Sequence, residues 1–156
     1  ALLTGLEGTI AEMEQITNAE KLDFRRFLDT LPHHLILDAG RLVAAHAGLS
    51  EELHGLETGL ARAFALYGLV GEGLDDEGIP LRLDWAETYR GSPIVVHGHE
   101  VYETPMIKNR VYAIDTGCVF GGSLTALRYP EMVTQSVPAR KSYAEIRRFN
   151  PPDSRA

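Results

Sequence analysis

The sequence has few of the features that mark secreted, membrane-spanning or nucleic-acid-coating proteins. Its 156 residues contain one cysteine, Cys118, so no internal disulfide can form, and we expect a reducing, cytoplasmic setting. No apolar run approaches the ~20 residues that a membrane span needs, so no membrane partner is expected. Acidic residues outnumber basic ones by 22 to 15, which argues against a surface that coats nucleic acid. A phosphate-bearing nucleic-acid end stays open as a substrate, because bound divalent cations would reverse the local field.

Two common catalytic motifs are also missing. The glycines between residues 117 and 122 are not followed by the Lys-Ser or Lys-Thr that completes a phosphate-binding P-loop. No Gly-x-Ser-x-Gly elbow occurs, which weakens a serine-hydrolase interpretation. Cys118 has no histidine or lysine beside it in the sequence, so we predict a buried, small apolar residue rather than a nucleophile.

The apolar pattern predicts a mixed α/β fold. Helices are expected over about 4–16, where Thr4 and Glu7 form a capping box, over about 18–31 with Asn18 as the cap, and over 60–67. A hairpin is expected over 33–45, a glycine-rich acidic loop over 71–80, and a last strand over 132–137. The length suits one domain, placed at 1–149, and the prolines that follow predict the start of a linker at 150–156.

Three predicted strands end in ionisable residues. The apolar run 42–45 is followed by His46, the run 94–96 by His97-Gly98-His99, and the run 111–114 by Asp115. In open α/β sheets, sites are built just past the carboxyl ends of the strands. We therefore expect the His46 and His99 rings to lie side by side, close enough to share one metal ion.

Each of these residues also has a plain structural interpretation. A histidine at a strand end can be a turn residue with satisfied hydrogen bonds, and Asp115 before Thr-Gly is common turn chemistry. Neutral imidazole nevertheless suits Mn, Fe and Zn. His97 alternates with His99 along the strand, so it should point to the other face and be structural. Arg90 could hold a phosphate through its guanidinium fork, although exposed arginines are mostly just solvated.

A cupin-like metal site is an alternative interpretation of the histidines. Gly91, His97, His99 and Glu103 follow the spacing of the first cupin motif. The final glycine of that motif falls on Arg110, and no second cupin motif is present. Two opening helices also fit a jelly roll poorly. The alternative requires His97, His99 and Glu103 to face one metal ion.

Several longer segments resemble a known family. VAAHAG at 43–48 and VVHGHE at 95–100 resemble the last two histidine motifs of calcineurin-like metallophosphoesterases. WAETYRG at 85–91 resembles the segment that carries a phosphate-contacting arginine in that family. Together with FALYG, IDTGCVFGGSLTALR and SVPARK, these segments are most similar to the phosphatase module of bacterial polynucleotide kinase-phosphatase.

The resemblance implies a fold, an activity and a set of roles. The chain would be the C-terminal half of a four-layer α/β/β/α metallophosphoesterase domain. Its parent would be a binuclear phosphoric monoester hydrolase that removes phosphate from nucleic-acid ends. The resemblance implies two divalent ions, with Mn²⁺ as the metal. The parent chain would also contain kinase and ligase-like domains and act in RNA repair. His46 and His99 would bind the same metal, Arg90 would hold phosphate oxygens, and Asp115 would orient a ligand.

The sequence departs from the family in ways that leave alternatives open. Glu100 and Val101 replace the usual Thr and Pro, and His97 stands where a tyrosine is usual. The D-x-H, G-D-x-x-D-R-G and G-N-H motifs, which supply the bridging carboxylate and the general acid, do not occur. We therefore expect the isolated chain to have no phosphatase turnover. The alternatives are a nucleoside tetraphosphatase, a phosphoprotein phosphatase, or a non-catalytic or single-metal binding fragment.

Overall fold

The computed structural model describes residues 7–74 and 80–144 and separates the chain into two compact units, Ala1–Pro32 and His33–Ala156. The described part of the first unit consists of helices α1 (Glu7–Glu14) and α2 (Asn18–Asp29). The second unit contains the sheets, so the mixed α/β class predicted from the sequence is confirmed, while the four-layer arrangement stays a prediction. The predicted linker at 150–156 and the cap Thr4 lie outside the described residues.

Helix α2 begins with a capping box, one residue earlier than the sequence analysis placed it. The Thr17 hydroxyl accepts a hydrogen bond from the Glu20 backbone N–H at 3.3 Å. The Glu20 carboxylate in turn accepts from the Thr17 backbone N–H at 2.8 Å. The expected cap at Asn18 is therefore wrong, because only Thr17 has a glutamate three residues later to complete the reciprocal pair.

The described part of the second unit contains two α-helices and ten strands. Its elements are β1 (His34–Leu37), β2 (Leu42–Ala45), α3 (Gly59–Tyr67), β3 (Val70–Leu74), β4 (Pro80–Arg82), α4 (Trp85–Thr88), β5 (Ile94–His97), β6 (Met106–Lys108), β7 (Val111–Ala113), β8 (Asp115–Thr116), β9 (Ser123–Arg128) and β10 (Val133–Pro138). None of the helices in the described ranges is long and apolar enough to cross a membrane.

The largest sheet has five strands in the order β1-β2-β5-β7-β6. The two inner pairings, β2 with β5 and β5 with β7, are parallel, and Val43 and Val111 both lie opposite Val95. The predicted hairpin of β1 and β2 is confirmed, with Asp38–Gly40 as its turn. A cupin jelly roll is built from antiparallel strands, so the parallel centre of this sheet contradicts the cupin alternative.

One prediction about the remaining strands is wrong, and one strand was missed. The stretch 71–80 is not simply a loop, because β3 and β4 pair antiparallel on either side of residues 75–79, which lie outside the described part. Strand β9 was not predicted, although it pairs with β10 over its full length. Strand β3 contains Gly71 and Gly73, and β9 contains Ala126, residue types that strand propensity disfavours, so their ladders are set by pairing rather than by local preference.

The core joins the parallel strands to α3 and α4. It includes Val43, Leu49, Phe64, Trp85, Tyr89, Val95 and Val111, all of which are buried. The Trp85 ring lies edge-on to Phe64 at 5.6 Å and to Tyr89 at 5.9 Å, a favourable aromatic geometry. Much of the WAETYRG segment is therefore core, and its Arg90 is carried on a rigid support.

Candidate functional site

The parallel pairing of β2 and β5 brings His46 and His99 together. Both strands end at the same edge of the sheet, and the Gly98 backbone N–H donates to the His46 carbonyl at 2.9 Å. His46 Nε2 lies 3.0 Å from His99 Nδ1, with ring centroids 4.7 Å apart. The expectation that the two rings lie side by side, although 53 residues separate them, is confirmed.

The distance between the two nitrogens fits either a hydrogen bond or a shared ion. One ring nitrogen can donate to the other in a suitable pair of tautomers. Two nitrogens that bind one ion at ~2.1 Å, with a right angle between the bonds, also lie roughly 3 Å apart. The donor geometry of this pair therefore suits two adjacent positions around one divalent cation.

His99 is held in an uncommon backbone conformation. Its φ of 71° lies in the left-handed region, where a side chain other than glycine costs on the order of 1–3 kcal/mol. Such strain concentrates at sites where a side chain must be aimed in one direction. Here the conformation follows directly after Gly98 and turns the His99 ring onto His46.

The surroundings keep His99 neutral. Burial is the main cause that lowers its pKa to about 4, and the charges of Arg82 and His46 act in the same direction. The charge of Asp115 opposes them. Within the described residues, the buried Nε2 atom of His99 has no hydrogen-bond partner. A neutral imidazole at pH 7 has a lone pair available for a metal ion.

Asp115 lies beside the turn that carries His99. Its Oδ1 accepts from the Gly117 backbone N–H at 3.0 Å, the local bond expected of an Asp before Thr-Gly. A Cβ added at Gly98 would lie 3.4 Å from the Asp115 Cβ, so Asp115 packs directly beside the backbone of Gly98. His46, His99 and Asp115 all line one cavity of about 460 Å³, at the expected edge of the sheet.

Arg90 is not among the residues that line this cavity. The chain turns back after Arg90, because the Tyr89 hydroxyl donates to the Pro93 carbonyl at 2.9 Å. Gly91 permits that turn, since a Cβ there would lie 2.4 Å from the Tyr89 hydroxyl. The exposed Arg90 guanidinium, however, donates to the carbonyls of Glu87 at 2.9 Å and Tyr89 at 2.8 Å.

His97 has a structural position, as its alternation with His99 predicted. Its Nδ1 lies 3.0 Å from the Gly98 carbonyl, and its ring packs against Trp85 with centroids 5.5 Å apart. Glu103 is exposed on the surface. Across residues 7–74 and 80–144, no three His, Cys, Asp or Glu side chains come close enough to hold an ion, so the cupin triad of His97, His99 and Glu103 is not formed.

Two features near the site were not found from the sequence. The first is Arg82, which ends β4, a strand that was not predicted. The second is a chain of hydroxyls across β8, β9 and β10. Thr116 donates to the Ser123 carbonyl at 2.6 Å, so Thr125, 2.6 Å away, must donate to Thr116, and Ser136 must donate to Thr125. This chain fixes the strand that begins with Asp115.

The fold and the strand-end groups define the class of protein. It is a mixed α/β protein whose candidate site lies past the carboxyl ends of parallel strands, with two imidazoles and a carboxylate around one cavity. No family model matches the chain.

Curated relatives give a more specific similarity, to bis(5'-nucleosyl)-tetraphosphatase PrpE, the asymmetrical type. The chain is 43% identical to that of Anoxybacillus flavithermus over 153 residues, covering 96% of this chain and 62% of the relative. It is 45% identical to that of Geobacillus thermodenitrificans over 139 residues, covering 86% and 57%. It is 42% identical to that of Bacillus subtilis over 154 residues, covering 96% and 63%. The chain thus spans less than two thirds of the length of these relatives.

A solved structure agrees with these relatives. The crystal structure of a candidate diadenosine tetraphosphatase superposes with a TM-score of 0.56 at 26% identity, covering 88% of this chain and 62% of that one. These comparisons favour the nucleoside tetraphosphatase alternative over the polynucleotide kinase-phosphatase interpretation drawn from the sequence. The expected kinase and ligase-like domains, and a place in RNA repair, receive no support from the relatives.

Proposed function

We propose that the chain is part of a calcineurin-like, metal-dependent phosphoesterase that hydrolyses a nucleoside polyphosphate, of the bis(5'-nucleosyl) tetraphosphate class. The observation that carries this proposal is the 3.0 Å approach of His46 Nε2 to His99 Nδ1 at the ends of two parallel strands. The similarity to tetraphosphatases supports the substrate class. The chain has a net charge of −7, so a compact, highly charged polyphosphate would bind only if a bound cation reversed the local field.

His46 and His99 would hold one divalent ion in this proposal. The fit rests on their nitrogen separation and on the neutral state of the half-buried His99. When bound, the ion would polarise a phosphoryl oxygen. The identity Mn²⁺ and a second ion rest on the resemblance alone, since the described residues supply two imidazoles and no third ligand beside them.

Asp115 would position the His99 turn rather than bind the ion itself. Its carboxylate is engaged by the Gly117 N–H and stands against Gly98, so its negative charge can orient the neighbouring imidazole. The role of Arg90 as a phosphate ligand remains a proposal from the resemblance. It requires the guanidinium to exchange the Glu87 and Tyr89 carbonyls for phosphate oxygens, which an exposed side chain can do.

The first experiment is a calorimetric titration of this chain with Mn²⁺. We expect one ion to bind, and His99→Ala to weaken binding at least ~100-fold because half of the imidazole pair is lost. His33→Ala is the matched control, since His33 is outside the cavity and faces Glu57 at 3.9 Å. Equal affinity in wild type and His99→Ala would contradict the proposed site.

The second experiment addresses the substrate. Diadenosine tetraphosphate is added with saturating Mn²⁺, and both binding and release of nucleotide products are followed. We expect binding that depends on Mn²⁺ and on His99, and no turnover by the isolated chain, as the missing carboxylate motifs predict. Turnover that disappears in His99→Ala would show that the chain is catalytically complete and would overturn the expected inactivity.

A further inference from the structure

The turn that aims His99 depends on one backbone carbonyl, that of Gly98. This carbonyl accepts a hydrogen bond at 2.9 Å from the Glu100 backbone N–H, two residues further along the chain. A bond of this span, with a φ of 71° at the residue between, forms a γ-turn of the rare and strained kind. The direction of the Gly98 carbonyl therefore decides whether the His99 ring is held against His46.

The Gly98 carbonyl has a second donor, the side chain of His97. The His97 Nδ1 atom lies 3.0 Å from the carbonyl oxygen. A carbonyl only accepts hydrogen bonds, so Nδ1 carries the proton of this ring. The Gly98 backbone N–H is bonded as well, to the His46 carbonyl at 2.9 Å. Gly98 is thus tied on one side to the segment of His46 and on the other to the ring of His97.

The ring that makes this bond is itself fixed. His97 is only 4% exposed, and its ring packs against that of Trp85 with centroids 5.5 Å apart. Its backbone carbonyl accepts from the Ile114 backbone N–H at 2.9 Å. A donor carried on a side chain held in this way can keep the Gly98 carbonyl in one direction.

Packing alone does not explain a histidine at this position. Because Nδ1 carries the proton, Nε2 of His97 is an acceptor, and this buried atom has no hydrogen-bond partner among the residues that the structure describes. A buried acceptor without a partner destabilises the folded state. A phenylalanine ring would pack on Trp85 without that cost. What the imidazole adds is the hydrogen bond that it donates to Gly98.

We propose that His97 is a positioning residue, whose Nδ1–H holds the Gly98 carbonyl and with it the γ-turn that aims His99 at His46. The proposal rests on the function proposed above, in which the two aimed rings bind one divalent ion. In this role His97 acts through His99 and is not itself a ligand. The alternative is that His97 only fills the core beside Trp85.

Three substitutions separate the hydrogen-bond donor from the packing. His97→Phe keeps a ring against Trp85 but has no donor. His97→Asn and His97→Leu have nearly the same shape and both lose the ring, but only asparagine can place an N–H at the position of Nδ1. His54→Phe is the matched control, because it removes another imidazole that donates to a carbonyl, that of Leu49 at 3.2 Å, outside the cavity of the site.

The first measurement is a calorimetric Mn²⁺ titration of each variant, together with its melting temperature. We expect His97→Phe and His97→Leu to weaken Mn²⁺ binding about 10- to 100-fold, the scale of losing a group that orients a metal ligand, while His97→Asn and His54→Phe bind as wild type. The melting temperature should fall in His97→Asn and His97→Leu, which lose the ring, and not in His97→Phe. Affinity would thus follow the donor and stability the ring.

The second measurement needs no metal ion. The His46 and His99 rings, with centroids 4.7 Å apart, should give nuclear Overhauser contacts in the metal-free wild type and in His97→Asn. We expect these contacts to disappear in His97→Phe and His97→Leu, because the γ-turn loses a donor to its carbonyl.

The two proposals fail in distinguishable ways. A wild type that binds no Mn²⁺ would overturn the metal site, while the ring contacts of the metal-free chain would still decide the role of His97. Wild-type Mn²⁺ affinity or persisting ring contacts in His97→Phe would overturn the positioning role, and so would a metal-free wild type without ring contacts. If His97→Phe does not fold, the pair His97→Asn and His97→Leu decides, and equal ring contacts in the two would overturn the role.

Discussion

The strand-end edge, which carries His46 and His99, and the segment of residues 70–91, which carries Arg82 and Arg90, position their polar side chains by different means. At the strand-end edge, His46 and His99 follow buried parallel strands whose register is fixed by the pairing of Val43 with Val95. In the segment 70–91, Arg82 ends strand β4 and Arg90 follows the short helix α4, and each guanidinium is placed by the carbonyls that it contacts. Backbone register positions the two histidines, and side-chain hydrogen bonds position the two arginines.

This difference explains which parts of the site could be predicted from the sequence. A run of apolar residues that ends in His or Asp predicts both a strand and the location of its last side chain, because parallel strands share one edge. The proximity of His46 and His99 followed from that rule alone. No comparable rule places Arg82 or Arg90, since a long side chain can bond to any nearby carbonyl and the sequence does not say which carbonyl is near.

Local sequence patterns likewise determine which strands and helices could be predicted. The β1–β2 hairpin and α3 were predicted because their apolar patterns agree with their turn and cap residues. Strands β3 and β9 were missed because glycine or hydroxyl residues occupy positions where a strand prediction looks for apolar side chains. Pairing with β4 and β10 forms these strands, and the local sequence pattern does not reveal that pairing. Thr125 in β9 shows this directly, since it bonds to hydroxyls on both neighbouring strands.

The largest effect is expected from a double-mutant cycle on the strand-end edge. His46→Ala and His99→Ala should each weaken Mn²⁺ binding at least ~100-fold, and the double variant should be scarcely weaker than either one, because a single remaining imidazole binds poorly. Calorimetric Mn²⁺ titrations of the four proteins give the coupling. Losses that simply add would show that the two rings do not serve one ion.

A second test addresses Arg90 in the segment 70–91, with inorganic tripolyphosphate as the probe and saturating Mn²⁺. Arg90→Ala should weaken tripolyphosphate binding a few-fold at most, because Arg90 is exposed and already bonded to two carbonyls. Arg62→Ala is the matched control, because Arg62 is an exposed arginine on α3 and its loss changes the net charge equally. A calorimetric loss of about 10- to 100-fold in Arg90→Ala alone would instead support the phosphate-binding role that the resemblance suggested.

A third test returns to the strand-end edge through the hydroxyl chain that supports Asp115. Thr125→Val should lower the free energy of unfolding by about 1–3 kcal/mol, because Ser136 loses its acceptor and Thr116 loses a donor in a buried place. Thr134→Val on β10 is the control, because Thr134 is not part of the hydroxyl chain formed by Thr116, Thr125 and Ser136. Urea unfolding measures both variants, and equal stability would mean that the hydroxyl chain contributes nothing.

The smallest effect concerns pH and a histidine outside the site. Burial is the main cause that lowers the pKa of His34; the charge of Glu57 opposes it, while His54 and His33 act in the same direction as burial. Its Nε2 accepts from the Gly55 backbone N–H at 2.9 Å, so the folded state requires the neutral ring. The unfolded chain takes up a proton near pH 6.5 and the folded chain only at lower pH, so stability is complete above about pH 6.5 and falls on acidification.

The size of that effect can be isolated by substitution. His34→Gln removes the titrating group while its amide oxygen can still accept from Gly55. The fall in the free energy of unfolding between pH 7 and pH 5 should be smaller in His34→Gln than in wild type and unchanged in His33→Ala. An identical pH dependence in wild type and His34→Gln would exclude His34 as a source.

Pulsed electron paramagnetic resonance of Mn²⁺ bound to the chain tests the central claim most directly, because nitrogen couplings count the imidazoles on the ion. We expect couplings from two histidine nitrogens in wild type and in His33→Ala. We expect one in either His46→Ala or His99→Ala at Mn²⁺ concentrations high enough to fill the weakened site. A wild-type spectrum without nitrogen coupling, or one that neither substitution changes, would contradict a metal ion shared by His46 and His99.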